Sequence, residues 1–260
     1  MNDERSDSFM NSETNISNET NMSNEANSTV NARPIISAYI TNLGKYNEGA
    51  LVGKWHGFPT TREEVEKTLR EIGIDGVRYE EFFITDYDIP DVDGINKYLG
   101  EYASIDEINY LASRIDDLEA DDFEMFEAAI ESGDYCSNIQ DLINLASERN
   151  LENCFGYYGG VGNDYDLGYY WVEDSGCYDT KNMGNLTNYI DYERFGRDIR
   201  HDEGGEFITN GYIYPTGDSF DKEYDGINVP DEYKVISIPK PEKTPEPVPC
   251  DRFWEERDAR

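Results

Sequence analysis

LTNYIDYERFGRDIRHDEGGEFITNGYIY, residues 186–214, is the stretch whose reading decides the fold. Tyr189, Tyr192 and Phe195 recur at a spacing of three with Ile190 beside them, which places them on one face of a short helix. Gly196 suits the C-terminal cap of that helix. Thr209-Asn210-Gly211-Tyr212 then reads as a tight β-hairpin, because Asn-Gly tolerates the positive φ values of a type I′ turn. A core helix followed by a closing hairpin ends the part of the chain that reads as folded.

Working outward, IISAYITN at 35–42 alternates as a strand with Ile36, Ala38 and Ile40 on one face. Leu51 to Phe58 reads as a second strand. Thr61-Arg62-Glu63-Glu64 is a capping box opening a helix with Val65, Leu69 and Ile72 on its apolar side. RYEEFFIT at 78–85 returns as a strand. In the next block, Ser104 and Glu107 form a second box before the stripe Ile105, Ile108, Leu111, Ile115 and Leu118. Phe123, Phe126 and Ile130 mark a second helix that Gly133 ends, and Ser137 and Gln140 cap a third with Ile139, Leu142, Ile143 and Ala146 facing inward. The fold class is α+β. The expected units are an α+β unit at 34–95, an acidic helical unit at 96–150 and a second α+β unit at 151–214. Residues 1–33, rich in Asn, Ser, Glu and Thr, read as a disordered tail, and 215–260 as an acidic, Pro-containing tail with a short helix at its end.

Charge separates this chain from most globular proteins: 56 acidic residues face 22 basic ones, a net −34. Residues 35–214 alone hold 38 acids against 13 bases, so the excess belongs to the folded part. Such a charge opposes folding by self-repulsion. It leaves no basic footprint for nucleic acid and points to a basic partner surface. No apolar run approaches the roughly 20 residues of a membrane span, and no charged-then-apolar leader opens the chain. The expectation is a cytoplasmic protein with free thiols.

Chemistry-bearing motifs are weak. Cys136, Cys154, Cys177 and Cys250 have no CxxC pairing, and His56 and His201 sit in no triad context, so neither a structural metal nor a catalytic site is expected. DYDIPDVDG at 86–94 fails the ligand spacing of a calcium loop. The glycines at 156, 159, 160 and 162 lack the Lys-Ser/Thr of a phosphate cradle. The aromatic run FGYYGGVGNDYDLGYYW at 155–171 leaves a carbohydrate-active protein as one alternative. No cofactor is implied.

The informative feature is density of charge. Asp106, Glu107, Asp116, Asp117, Glu119, Asp121, Asp122, Glu124, Glu127, Glu131 and Asp134 stand against one base, Arg114. A helix over 105–117 spans about 20 Å at 1.5 Å per residue. Packed on the next helix, it presents about ten net negative charges, where duplex DNA carries about 12 over that length. An ordinary solvated helix face would interleave Lys and Arg for i,i+4 pairing. The acids therefore read as a mimic of a phosphate array. The candidate surface also takes in Asp86, Asp88, Asp91, Asp93 and Glu101 before the block and Asp191 and Asp198 after it. A general acidic binder of basic DNA-binding proteins is the other alternative.

NYIDYERFGRD with its following Phe-Ile strand, and YITNLGKYNEGALVGKWHGFP at 39–59, resemble the two ends of the ArdA antirestriction proteins. The resemblance covers about Ile35 to Tyr214. It implies an elongated DNA mimic that occupies the DNA-binding groove of the methyltransferase core of type I restriction–modification enzymes. It also implies stoichiometric action without turnover, protection of incoming plasmids and conjugative elements, and a homodimer through the C-terminal unit. The dimer contact falls at Trp171, Val172, Cys177 and Tyr178, although Cys177-Tyr178-Asp179-Thr180-Lys181 is more polar than the family's run there.

Overall fold

A computed structural model of the chain describes residues 33–239. The readings of residues 1–32 and 240–260, including the Asn/Ser-rich tail, most of the proline-rich segment, Cys250 and the terminal helix, lie outside the described residues.

The chain is mixed α+β, with two small antiparallel sheets. The first has the order β2–β1–β3 and is built from β1 (Ile36–Asn42), β2 (Gly53–Phe58) and β3 (Phe82–Asp88). Its buried face is the expected one, since Ile36, Ala38 and Ile40 are all fully inaccessible. A one-turn helix α1 (Leu43–Asn47) follows β1, and α2 (Arg62–Glu71) follows β2. The capping box of α2 forms in full: Thr61 Oγ1 accepts from the Glu64 N–H at 3.3 Å, and Glu64 Oε2 accepts from the Thr61 N–H at 3.4 Å. Strand β3 begins later than its sequence suggests. Residues 77–79 are claimed by Asp75, whose carboxylate accepts from the N–H groups of Val77, Arg78 and Tyr79.

Four helices make the next block: α3 (Ile105–Asp116), α4 (Ala120–Ser132), α5 (Ile139–Leu145) and α6 (Glu148–Cys154). Ile105, Ile108, Leu111, Ile115, Phe126, Ile130, Leu142, Ile143 and Ala146 are all buried, as their spacing requires. Gly133 ends α4 in the left-handed region. Two expected capping boxes do not form. Ser104 makes no side-chain cap bond, and α5 is capped by Asn138, which accepts from the Asp141 N–H at 2.9 Å.

Strand β4 (Phe155–Gly159), β5 (Glu206–Ile208) and β6 (Gly211–Pro215) form the second sheet, in the order β4–β6–β5. Between β4 and β5 run α7 (Asp164–Tyr169), a π-turn at Tyr170–Asp174, two 3-10 turns and α8 (Tyr192–Glu203). Gly196 is not the cap of this helix. It lies mid-helix against Gly168, and Gly204 at φ +69° ends α8 instead. Tyr189 lies before the helix and is 82% exposed. The hairpin forms, but with Ile208 opposite Gly211 its loop is Thr209-Asn210, one residue earlier than expected. Neither Asn210 nor Gly211 adopts a positive φ, so the turn is not type I′. Glu131 shapes it from outside, accepting from the Thr209 N–H and hydroxyl, each at 2.9 Å.

One apolar core runs from Ile36 through α2, α3, α4, α5 and α6 to Phe155, Ile213 and Val235, and a smaller cluster centres on Val161, Leu167 and Tyr212. Residues after Pro215 also depart from expectation. A strap, residues 216–239, lies on the helical block with Tyr224, Val229 and Val235 buried. Tyr233 stacks on Tyr110 with ring centroids 4.2 Å apart. No alternation of polarity marks this segment, because the backbone of Asp221 and Tyr224 is met by asparagine side chains and not by a neighbouring strand.

Candidate acidic interaction surface

The helical block positions its acids by burying the opposite side. Because α3 and α4 turn Ile108, Leu111, Phe126 and Ile130 inward, Asp116, Asp117, Glu119, Asp121, Asp122 and Glu124 gather at the corner where α3 ends and α4 begins. Asp121 and Asp122 lie in the first turn of α4, where the helix dipole favours them. Asp116 and Asp117 lie at the C-terminal end of α3, where it does not. Stability alone would not select that pair.

Of the eleven acids between Asp106 and Asp134, three bond to other parts of the chain. Asp106 Oδ1 accepts from the N–H groups of Val235 and Ile236, each at 2.7 Å. Glu107 Oε1 accepts from the Tyr224 hydroxyl at 2.8 Å. Glu131 holds the hairpin turn. The first two were expected at the surface and instead face the strap. This also explains the failed capping boxes: the strap takes Glu107, and Gln140 donates to the Tyr224 carbonyl at 3.1 Å. The other eight, Asp116, Asp117, Glu119, Asp121, Asp122, Glu124, Glu127 and Asp134, make no side-chain hydrogen bond or ion pair among the described residues. Arg114, the one base of this stretch, points away, donating to the Ala146 carbonyl at 2.9 Å.

The fold adds acids from elsewhere. Asp91 and Asp93, in the loop after β3, come close enough to Glu127 that they and Glu124 help hold its carboxyl above the usual carboxylate range, after partial burial as the main cause. Asp93, Glu124, Glu127 and Glu131 line one cleft of about 300 Å³, with Tyr157 and Asn210 on its far wall. Asp86, Asp88 and Glu101 are exposed. Asp191 is a cap, accepting from the Arg194 N–H at 3.0 Å, while Asp198 is exposed on α8.

His56 is buried between Thr68 Oγ1 at 2.8 Å and Thr60 Oγ1 at 3.0 Å, and burial lowers its pKa. Among the described residues no cluster of His, Cys, Asp or Glu is arranged to hold a metal. No helix among them is long and apolar enough to cross a membrane.

The four residues expected at a dimer contact divide. Val172 is buried within the chain, and Trp171 packs edge-on against Tyr158 with centroids 6.3 Å apart. Cys177 and Tyr178 are exposed. Tyr165, Tyr169, Met183, Leu186 and Tyr189 are also exposed. Of these the sequence singles out only Tyr189 by its spacing, on a helix face.

Among the described residues the acids from Asp116 to Asp134 gather with few counter-charges, Lys97 being the base that lines their cleft. The sequence model described as Antirestriction protein (ArdA) matches residues 38–214. The chain belongs to the ArdA family, whose general role is antirestriction and whose general partner is a restriction enzyme. No curated protein matches the chain in sequence.

Proposed function

We propose that this protein inhibits type I restriction–modification enzymes by presenting carboxylates in place of DNA phosphates to the DNA-binding groove of the methyltransferase core. The observation that carries the reading is the set of eight acids from Asp116 to Asp134 that have no partner among the described residues, with Asp93 brought beside them at the cleft that Glu124 and Glu127 line. Lysine and arginine side chains of the groove pair with them. Complementary fields speed the encounter and make it salt-sensitive. One exposed ion pair contributes only about 0–1 kcal/mol, so affinity requires many pairs held at once. Helices α3 and α4 hold them without the ordering cost that a disordered acidic tail incurs on binding.

The action is occupation of a site, without catalysis, cofactor or direct contact with nucleic acid, in the cytoplasm of a cell receiving mobile DNA. The exposed Tyr165, Tyr169, Met183, Leu186 and Tyr189 support self-association through the C-terminal part of the chain. Competition tests the proposal. Purified protein should displace labelled duplex DNA from a type I methyltransferase core, and added salt should abolish the displacement. Failure to displace DNA at low salt would remove the proposal.

A further inference from the structure

The face formed by α3, α5 and α6 reads the backbone of another segment. Asn144 Oδ1 accepts from the Tyr224 N–H at 2.8 Å, and its Nδ2 donates to the Tyr224 carbonyl at 3.0 Å. Asn150 repeats this on Asp221, accepting from its N–H and donating to its carbonyl, both at 2.8 Å. Asn109 Nδ2 donates to the Tyr233 carbonyl at 3.0 Å. Asp106 takes the two consecutive N–H groups of Val235 and Ile236. The three asparagines are at most 3% exposed. Each amide that meets both the N–H and the C=O of one residue does what a neighbouring strand does in β-augmentation. Side-chain pockets add selectivity. The Tyr224 ring lies edge-on to Tyr110 at 5.6 Å with its hydroxyl on Glu107, and Val235 is buried.

Reader and read segment fall on opposite sides of a boundary. The reading side chains lie at residues 106–150, inside the span that matches the family, and the segment lies wholly beyond residue 214. The joint between them is open, since Gly217 and Asp218 are exposed. We propose that the α3–α5–α6 face is a peptide-binding groove for an extended segment of the pattern Tyr-x8-Tyr-x-Val. Residues 221–236 fill it in cis, and the groove accepts the same segment as a separate chain. The recognition is by backbone, so it tolerates change at exposed positions such as Ile227, which is 79% exposed. Covalent attachment gives the cis segment an effective concentration in the millimolar range, so a free peptide competes only once that link is cut. This inference is independent of the antirestriction reading.

The test uses the full chain with a protease recognition sequence inserted between Gly217 and Asp218. After cleavage, the C-terminal fragment should co-elute with the body. A fluorescent synthetic peptide of residues 218–238 in excess should then replace it, with the far-ultraviolet circular dichroism unchanged. A peptide N-methylated at Tyr224, or carrying Tyr233→Ala, should bind at least tenfold more weakly, and one carrying Ile227→Ala should bind unchanged. Altering only the peptide leaves the body intact, so misfolding cannot imitate lost binding. The inference is overturned if no labelled peptide enters a folded body, if the helical signal collapses when the fragment leaves, or if the N-methylated peptide binds as well as the unmodified one.

Discussion

Gly168 of α7 and Gly196 of α8 meet backbone to backbone. A Cβ on Gly168 would stand 1.9 Å from the Tyr192 carbonyl oxygen, and one on Gly196 would stand 1.8 Å from that of Asp164. Neither obstacle is a side chain that could swing away. Gly168→Ala and Gly196→Ala should each destabilise the protein by about 2–3 kcal/mol, and the double variant should lose less than the sum, because the first substitution already separates the helices. Gly204→Ala, strained only at its own φ of +69°, should cost about 1 kcal/mol. Urea denaturation measures all three, and equal losses at the three positions would contradict the close crossing.

The same pair of helices is tied by charge. Asp164, on a side chain 19% exposed, accepts from Arg200 Nε at 2.8 Å and lies 3.7 Å from Arg197. The Arg200 guanidinium holds its carboxyl below the usual value of 3.8. For a carboxylate with a depressed folded pKa, the stabilisation is complete above 3.8 and is lost as pH falls from there through the folded value. Asp164→Asn should therefore cost about 1–2 kcal/mol at pH 7. Melting temperatures of the two proteins should converge as the solution is acidified below that window, and a constant gap across pH would refute the assignment.

Glu127 carries the opposite sign. Burial and the nearby Glu124, Asp93 and Asp91 raise its pKa above 4.5, so the native state binds its proton more tightly than the unfolded chain. Its ionisation costs stability as pH rises from 4.5 through the folded value. Glu127→Gln should stabilise the fold at pH 7 by up to about 1 kcal/mol and change nothing below pH 4.5. The same variant should weaken binding to the restriction enzyme, since it removes one charge of the array. Thermal melts at two pH values together with a titration of the complex would detect this trade-off. A variant less stable at neutral pH would contradict it.

Asp106 illustrates a different use of an acid. Removing its carboxylate leaves the Val235 and Ile236 N–H groups without an acceptor in a partly buried place. Asp106→Ala should cost about 2–3 kcal/mol of stability and leave inhibition per folded molecule nearly unaltered. Asp117→Ala, at an exposed site with no partner among the described residues, should show the reverse. If both variants behave alike in denaturation and inhibition assays, the division of the acids into inner and outer sets is mistaken.

Much of this molecule was legible from periodicity. The buried face of β1, the stripes of α3, α4 and α5, and the capping box at Thr61 all stand where spacing put them. What escaped was tertiary. Gly196 looks like a cap in one dimension because only the approach of Gly168 shows why no side chain fits there. The capping boxes at Ser104 and Ser137 were legitimate local signals, but Tyr224 offered their fourth residues better partners more than eighty positions away. For the same reason Asp106 and Glu107 could not be told from the outward acids, and Asp93 could not be seen to join Glu127. The strap was unreadable because its bonds run to asparagine side chains, which leave no alternation in its own sequence.

The most direct measurement is the affinity of this protein for a type I methyltransferase core over a range of salt concentrations, beside a variant with Asp117, Asp121, Glu124 and Glu127 changed to Lys. These four side chains make no partner contact among the described residues, so the variant should keep its circular dichroism and melt cooperatively. The native protein should bind tightly at low salt and lose affinity steeply as salt rises, while the folded variant binds at least a hundredfold more weakly. A folded variant that binds and inhibits like the native protein, with the same salt dependence, would contradict the account.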